Sequence, residues 1–290
     1  MPRFRAGKFL LALLVLAALG AGSGCATSFL YERADRFANR WMGDYLELDP
    51  AQQESLDTAL AELHRWHRRE QLPAYAAWLR SAAADLAAGG PYAERALRGR
   101  GTELGGFWRE LAEAGAPALT AVGATLSDAQ VEVLLEALRE ARSKEFEYAA
   151  ARPDSYHQQR SARSMERFLR RWTGRMTAAQ QAMIRDWAAA LEPSRVASLE
   201  NRAGWIEALE RALERRADPA ALRQAAESLF VAPSSRWDPD YAALVERNTV
   251  HTTTFMAEFL AGLDERQRRR AVERLERLAA EFEQLAAAGS

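Results

Sequence analysis

The chain has one cysteine, Cys25, among its 290 residues. With a single thiol it can form no internal disulfide, so its fold must rest on packing alone. It also lacks an excess of either charge: 39 Lys and Arg stand against 40 Asp and Glu, for a net charge of −1. That balance gives no electrostatic basis for binding nucleic acid, and none is expected as a partner. β-Branched residues are scarce, which argues against a sheet. Catalytic signatures are missing as well: there is no Gly-x-Ser-x-Gly elbow, no phosphate-cradling glycine loop and no His-Glu-x-x-His. The expectation is a protein that is not an enzyme and holds no cofactor.

What is present favours helix. Ala, Leu, Arg and Glu dominate, all from the helix-forming end of the propensity scale. Four helix starts repeat one pattern: Asp49 with Gln52, Ser127 with Gln130, Thr177 with Gln180, and Asp264 with Gln267. In each, the short side chain accepts from the amide three residues on and the Gln reaches back, a capping box. Unequal spacing between copies excludes a tight solenoid but permits divergent duplication of a helical hairpin. Apolar stripes at helical spacing follow, among them Leu56, Leu60 and Leu63, then Ile184, Trp187 and Leu191. The glycines near Gly99 and Gly101 read as a loop, and Ala232 to Pro239 as the clearest break. The fold class is all-α: a multi-helix bundle of antiparallel helices, about ten after an N-terminal segment, joined mostly by short turns. The organisation expected is residues 1–24 as a signal peptide and 25–290 as one helical domain, with a subdivision possible near 232–239.

The N-terminus explains Cys25. Arg3, Arg5 and Lys8 precede the apolar stretch from Phe9 to Leu19, and Gly22, Ser23 and Gly24 lead into the cysteine. The stretch is shorter than the roughly 20 apolar residues that a spanning helix needs, so cleavage is expected. The arrangement resembles the bacterial lipoprotein signal. That resemblance implies a diacylglycerol on Cys25, cleavage before it and acylation of the new amino terminus. With Ala26 rather than Asp next, it also implies the periplasmic face of the outer membrane. The membrane is then a partner through the covalent lipid. Helical spacing resumes at Leu30, Ala34, Phe37, Trp41, Tyr45 and Leu48, which leaves little room for a tether.

The motif Tyr31-x-x-x-Asp35, Trp41, Asp44-Tyr45 and Leu48, followed by Trp66-His67-Arg68-Arg69-Glu70-x-Leu72-Pro73-x-Tyr75-Ala76, resembles a family of uncharacterised outer-membrane lipoproteins of Gram-negative bacteria. Arg247-Asn248 extends the similarity. The family implies the helical fold and the lipid anchor but no activity. More weakly, the four capping boxes are similar to those of small periplasmic helical chaperones, which cradle unfolded clients.

Tyr31, Asp35, Asp44, Tyr45, His67, Arg68 and Arg69 are the candidates for a buried polar network or a ligand cleft. The two aspartates lie about two and a half turns apart and could each accept an arginine fork. His64 and His67 share a helix face with Glu62 or Glu70 in reach, but the arginines around them disfavour a cation, and no metal site is expected. Asn248 and Thr252 lie one turn apart and could form a polar seam with the threonines that follow. The functional expectation is a non-enzymatic binding, scaffold or chaperone-like module with an envelope protein or glycan partner. The alternative is a hydrolase acting on envelope polymers through carboxylates.

Overall fold

The computed structural model describes residues 45–90 and 94–288, together with Tyr31 and Gly43. Cys25, the preceding signal-like segment, Leu30, Ala34, Asp35, Phe37, Trp41 and Asp44 lie outside the described residues. The described chain is all-α, with no strand among the described residues. Its helices are α1 (Pro50–Trp66), α2 (Leu72–Ala88), α3 (Glu94–Thr125), α4 (Asp128–Ala150), α5 (Asp154–Thr173), α6 (Ala178–Ala190), α7 (Arg195–Glu214), α8 (Pro219–Ala226), α9 (Pro239–Ala261) and α10 (Glu265–Ala287). A π-helical turn, His67–Gln71, joins α1 to α2 without a break, and a second, Glu227–Val231, extends α8.

Both π turns end just before a proline. The amide of Leu72 bonds the carbonyl of His67, and that of Ala232 the carbonyl of Glu227; Pro73 and Pro233 come next. A proline has no amide to continue the ladder, and its ring collides with the carbonyl four residues back. Widening the preceding turn by one residue moves that carbonyl aside and lets α1 flow into α2.

The glycines of the Gly99 region form no loop. Gly99, Gly101, Gly105 and Gly106 all lie inside α3, a correction to the sequence reading. Each of these glycines could carry a methyl group without touching any other atom within 4 Å, so they stand on an open helix face. Arg98 reaches Glu246 on α9 at 3.0 Å, while Arg100 reaches Asp85 on α2 and stacks toward the Trp78 ring. Together with packing on α1 and α8, these contacts outweigh the roughly 1 kcal/mol that each interior glycine costs a helix.

All four capping boxes close, and they do more than start helices. Gln52 and Gln130 face each other: Gln52 Nε2 donates to Gln130 Oε1 at 3.1 Å, and Gln130 Nε2 returns to Gln52 Oε1 at 2.7 Å. Each amide also donates to a carbonyl two residues ahead of the other's cap, Gln52 to Thr125 and Gln130 to Glu47, both at 2.8 Å. Gln180 and Gln267 repeat this arrangement at 2.8 and 2.9 Å, with Gly262 and Arg175 as the carbonyls. The same two-fold exchange is thus made twice, from boxes of one type.

The core falls into clusters along the bundle. Phe255, Phe259, Ile184 and Trp187 bring α6 and α9 together with Leu169 of α5, and Phe259 is wholly buried. Leu72, Ala76 and Leu79 of α2 meet Leu278, Ala279 and Phe282 of α10, with Tyr31 in the same cluster. Leu135 and Leu138 of α4 pack on Ile206 of α7. Each such side chain contributes roughly 1.5–3 kcal/mol on burial, enough to hold a disulfide-free chain.

Candidate functional site

The π turn aims its side chains at the α2–α10 core, and a buried polar network grows from it. His67 is 3% exposed, and its Nδ1 shares a hydrogen bond of 3.0 Å with the Tyr31 hydroxyl, itself on a residue 3% exposed. The Tyr31 ring lies 4.6 Å from that of His64 and 5.8 Å from that of His67, with the Arg68 guanidinium 5.3 Å from its centroid. His67 in turn meets the edge of Tyr75 at 5.5 Å. The Tyr75 hydroxyl donates to Gln71 Oε1, and Gln71 Nε2 donates to Glu110 of α3 at 2.8 Å. Burial, reinforced by the neighbouring His64, pulls the His67 pKa down to about 4, so its imidazole is neutral. Burial, then Glu110 and Tyr31, push the Tyr75 hydroxyl above the usual tyrosine range.

The sequence brought Tyr31, His67 and Arg68 to one place, and the structure joins them. It separates two others. Tyr45 packs against the α4–α7 cluster of Leu135, Leu138 and Ile206, and Arg69 is exposed and paired with the adjacent Glu70 at 2.8 Å. Gln71, Tyr75 and Glu110 complete the network and were missed, although Tyr75 stands in the quoted motif. Gln71 and Tyr75, four residues apart, share a helix face that ordinary spacing could have shown, whereas Glu110 comes from α3 and is joined to them only by the packing. Among the described residues no group of His, Cys, Asp and Glu is placed to hold a metal ion.

A second site opens between α7 and α9. This cleft, about 890 Å³, is walled by Glu192, Asn201, Arg236, Trp237, Tyr241 and Arg247, among others. Trp237 and Tyr241 meet edge to face at 5.2 Å. Arg247 grips Glu192 with two bonds of 2.6 and 2.8 Å, and this guanidinium holds the carboxyl below the usual carboxylate range. Asp238 is engaged too, accepting from the amides of Asp240 and Tyr241 at the start of α9.

The polar seam beside it forms. Asn248 donates to the Glu192 carbonyl and accepts from its amide, both at 3.0 Å. Trp187 Nε1 donates to Thr252 at 3.2 Å, and a bond of 3.0 Å joins His251 Nε2 to the Trp187 carbonyl. Thr253 and Thr254 turn back to carbonyls of their own helix.

The fold and these sites define an all-α protein with a buried polar network and an open cleft among the described residues. By sequence it belongs to a family of unknown function, DUF6279, which matches residues 44–242. The match contains Asp44, Tyr45 and the Trp66 to Ala76 run; Tyr31, Asp35 and Arg247-Asn248 fall outside it. No curated protein and no solved structure matches the chain.

Proposed function

We propose that this protein is a lipid-anchored, non-enzymatic binding module of the bacterial cell envelope, held through a lipid on Cys25 at the periplasmic face of the outer membrane. The observation that carries this reading is Tyr31, buried and bonded to His67 only six residues after Cys25. Six residues span at most about 20 Å when extended, so a lipid on Cys25 keeps the body at the bilayer surface. Several acyl chains, at about 0.8 kcal/mol per buried methylene, hold it there. Among the described residues no helix is long and apolar enough to cross a membrane.

The α7–α9 cleft favours binding over hydrolysis. Carboxylate hydrolysis needs one group kept protonated as an acid; of the four carboxylates that line the cleft, Glu192 is held ionised by Arg247 and Asp238 is committed to a helix start, with Glu200 and Asp240 as the other two. Trp237 and Tyr241 offer ring faces beside the Asn201 amide and Arg236, a mixture suited to an envelope glycan or peptide.

Metabolic labelling with an acyl analogue tests the anchor. Wild-type protein is expected to take the label and fractionate with membranes, and Cys25→Ser to do neither. Label retained on Cys25→Ser overturns the reading. A photo-crosslinking residue at Leu244, in the cleft, is expected to trap an envelope partner in intact cells that the same residue at Val133, exposed on α4, does not. Equal trapping at the two positions removes the cleft as the binding site.

A further inference from the structure

Several arginines on this surface are neutralised by carboxylates of other helices. Arg80 reaches Glu276 and Glu283, Arg139 reaches Glu210, and Arg195 and Arg202 share Glu145. The seam between α5 and α10 departs from that pattern.

The two helices run antiparallel there. Gln267 Nε2 donates to the Arg175 carbonyl at 2.9 Å, Arg270 lies over Gly174, and Arg274 Nη1 donates to the Arg171 carbonyl at 2.9 Å. This register sets Arg167, Arg171 and Arg175, four residues apart on α5 and just beyond its end, beside Arg270, Arg274 and Arg277, one stripe of α10. None of the six has a carboxylate within ion-pair distance among the described residues. Four of them act on one another instead. Burial and then the charges of Arg171, Arg270 and Arg277 hold Arg274 below the usual guanidinium range, opposed only by Glu281.

Local structure accounts for little of this. The carbonyl end of α5 attracts a cation, and Arg274 supplies it, but that duty needs one guanidinium rather than six. The stripe from Arg270 to Arg277 covers about 10 Å of helix, longer than one phosphate group. Aromatic rings stand among the cations: Phe168 is 44% exposed, its ring is 6.4 Å from that of Trp172, and Arg274 lies 5.6 Å from the Trp172 centroid. Guanidinium forks suit phosphate oxygens, and the exposed Phe168 ring offers an apolar contact beside them. Trp172 also packs on the cluster that holds Tyr31, where the chain from Cys25 joins the body.

We propose that the α5–α10 seam binds the phosphate headgroups of anionic phospholipids and is the face that the body turns toward the membrane. The proposal rests on the envelope reading for the presence of that membrane, but on the guanidiniums and not on Cys25 for the contact. With the whole chain at a net charge of −1, binding to nucleic acid is the weaker source of phosphate.

The test is arginine-specific glyoxal labelling, read peptide by peptide, on the full chain reconstituted in phosphatidylcholine vesicles with or without phosphatidylglycerol. With the anionic lipid, labelling of the six seam arginines is expected to fall roughly fivefold, the hold of an anionic surface on one nearby cation, while exposed Arg211 of α7 is unchanged. The protection should fade as salt is raised. Equal labelling of the seam in both vesicles overturns the proposal. So does equal protection in neutral vesicles by inorganic phosphate, which marks a free-anion site, or by a short RNA without any effect of phosphatidylglycerol. Repeating the measurement on Cys25→Ser separates the two readings: acyl label reports the anchor, and seam protection reports this contact.

Discussion

Replacing Gln267 by alanine tests whether the capping boxes act as tertiary joints. Gln267 is 3% exposed and its amide makes bonds to the Asp264 amide, the Arg175 carbonyl and both ends of Gln180. Alanine removes all of these, takes the donor from the Arg175 carbonyl, and leaves the Gln180 amide, 4% exposed, with only the Gly262 carbonyl and the Thr177 amide. A buried polar group left without a partner costs about 1–3 kcal/mol, and loss of half a capping box adds a fraction of that, so the change should destabilise by about 3–4 kcal/mol. In a chain of this size that lowers the melting temperature by roughly 10 °C. Gln180→Ala should cost a similar amount. The double variant removes both of the amides that each single leaves without its facing glutamine, so it should cost about 1–2 kcal/mol less than the two singles added. Denaturant unfolding followed by far-UV circular dichroism gives all three values. Gln53→Ala, which removes only the exposed bond to Asp57, serves as the control at about 0.5 kcal/mol or less. If Gln267→Ala behaves like that control, or the two singles simply add, the glutamine pair is not a joint and the reasoning fails.

Three further outcomes follow from the same structure. His67 is held near pKa 4 against an ordinary 6.5, so the unfolded chain binds the proton that the folded chain refuses; stability should drop as pH falls from about 6.5 to 4, by about 3 kcal/mol, and level off below. Denaturant titrations across that range should show this slope reduced in His67→Gln, and an unchanged slope would mean that His67 is not the group responsible. Gly174 has φ +82, and an added Cβ would sit 3.1 Å from Arg270, so Gly174→Ala should lose about 1–2 kcal/mol, whereas Gly101→Ala, in open space on α3, should gain about 0.5–1 kcal/mol by thermal melting. Tyr31→Phe deletes the hydroxyl bonded to His67 and should cost about 1–2 kcal/mol while raising the amide exchange of the π turn; exchange equal to wild type would show that Tyr31 does not fasten the chain there.

Much of this protein was set by short-range chemistry and so was legible along the chain. A cap and a Gln three residues later form their bonds within one turn, so Asp49, Ser127, Thr177 and Asp264 mark helix starts whatever surrounds them. Apolar spacing likewise assigned Leu56, Ile184 and Trp187 to buried faces, because a helix repeats its face every three to four residues. Tertiary contacts decided the rest. Gly99 and Gly101 signal a loop by propensity, yet the neighbours of α3 keep them helical, since packing outweighs a small local cost. Which glutamine meets which was invisible, because all four boxes look alike and only the packing of the helices brings Gln52 to Gln130 and Gln180 to Gln267. The packing of α3 brought Glu110 to Gln71 and Tyr75, and the register of α5 on α10 gathered six arginines that are scattered in the sequence. Residue type gave each of those groups its chemistry, but distance gives the chemistry its strength, and distances between remote residues exist only once the chain has folded.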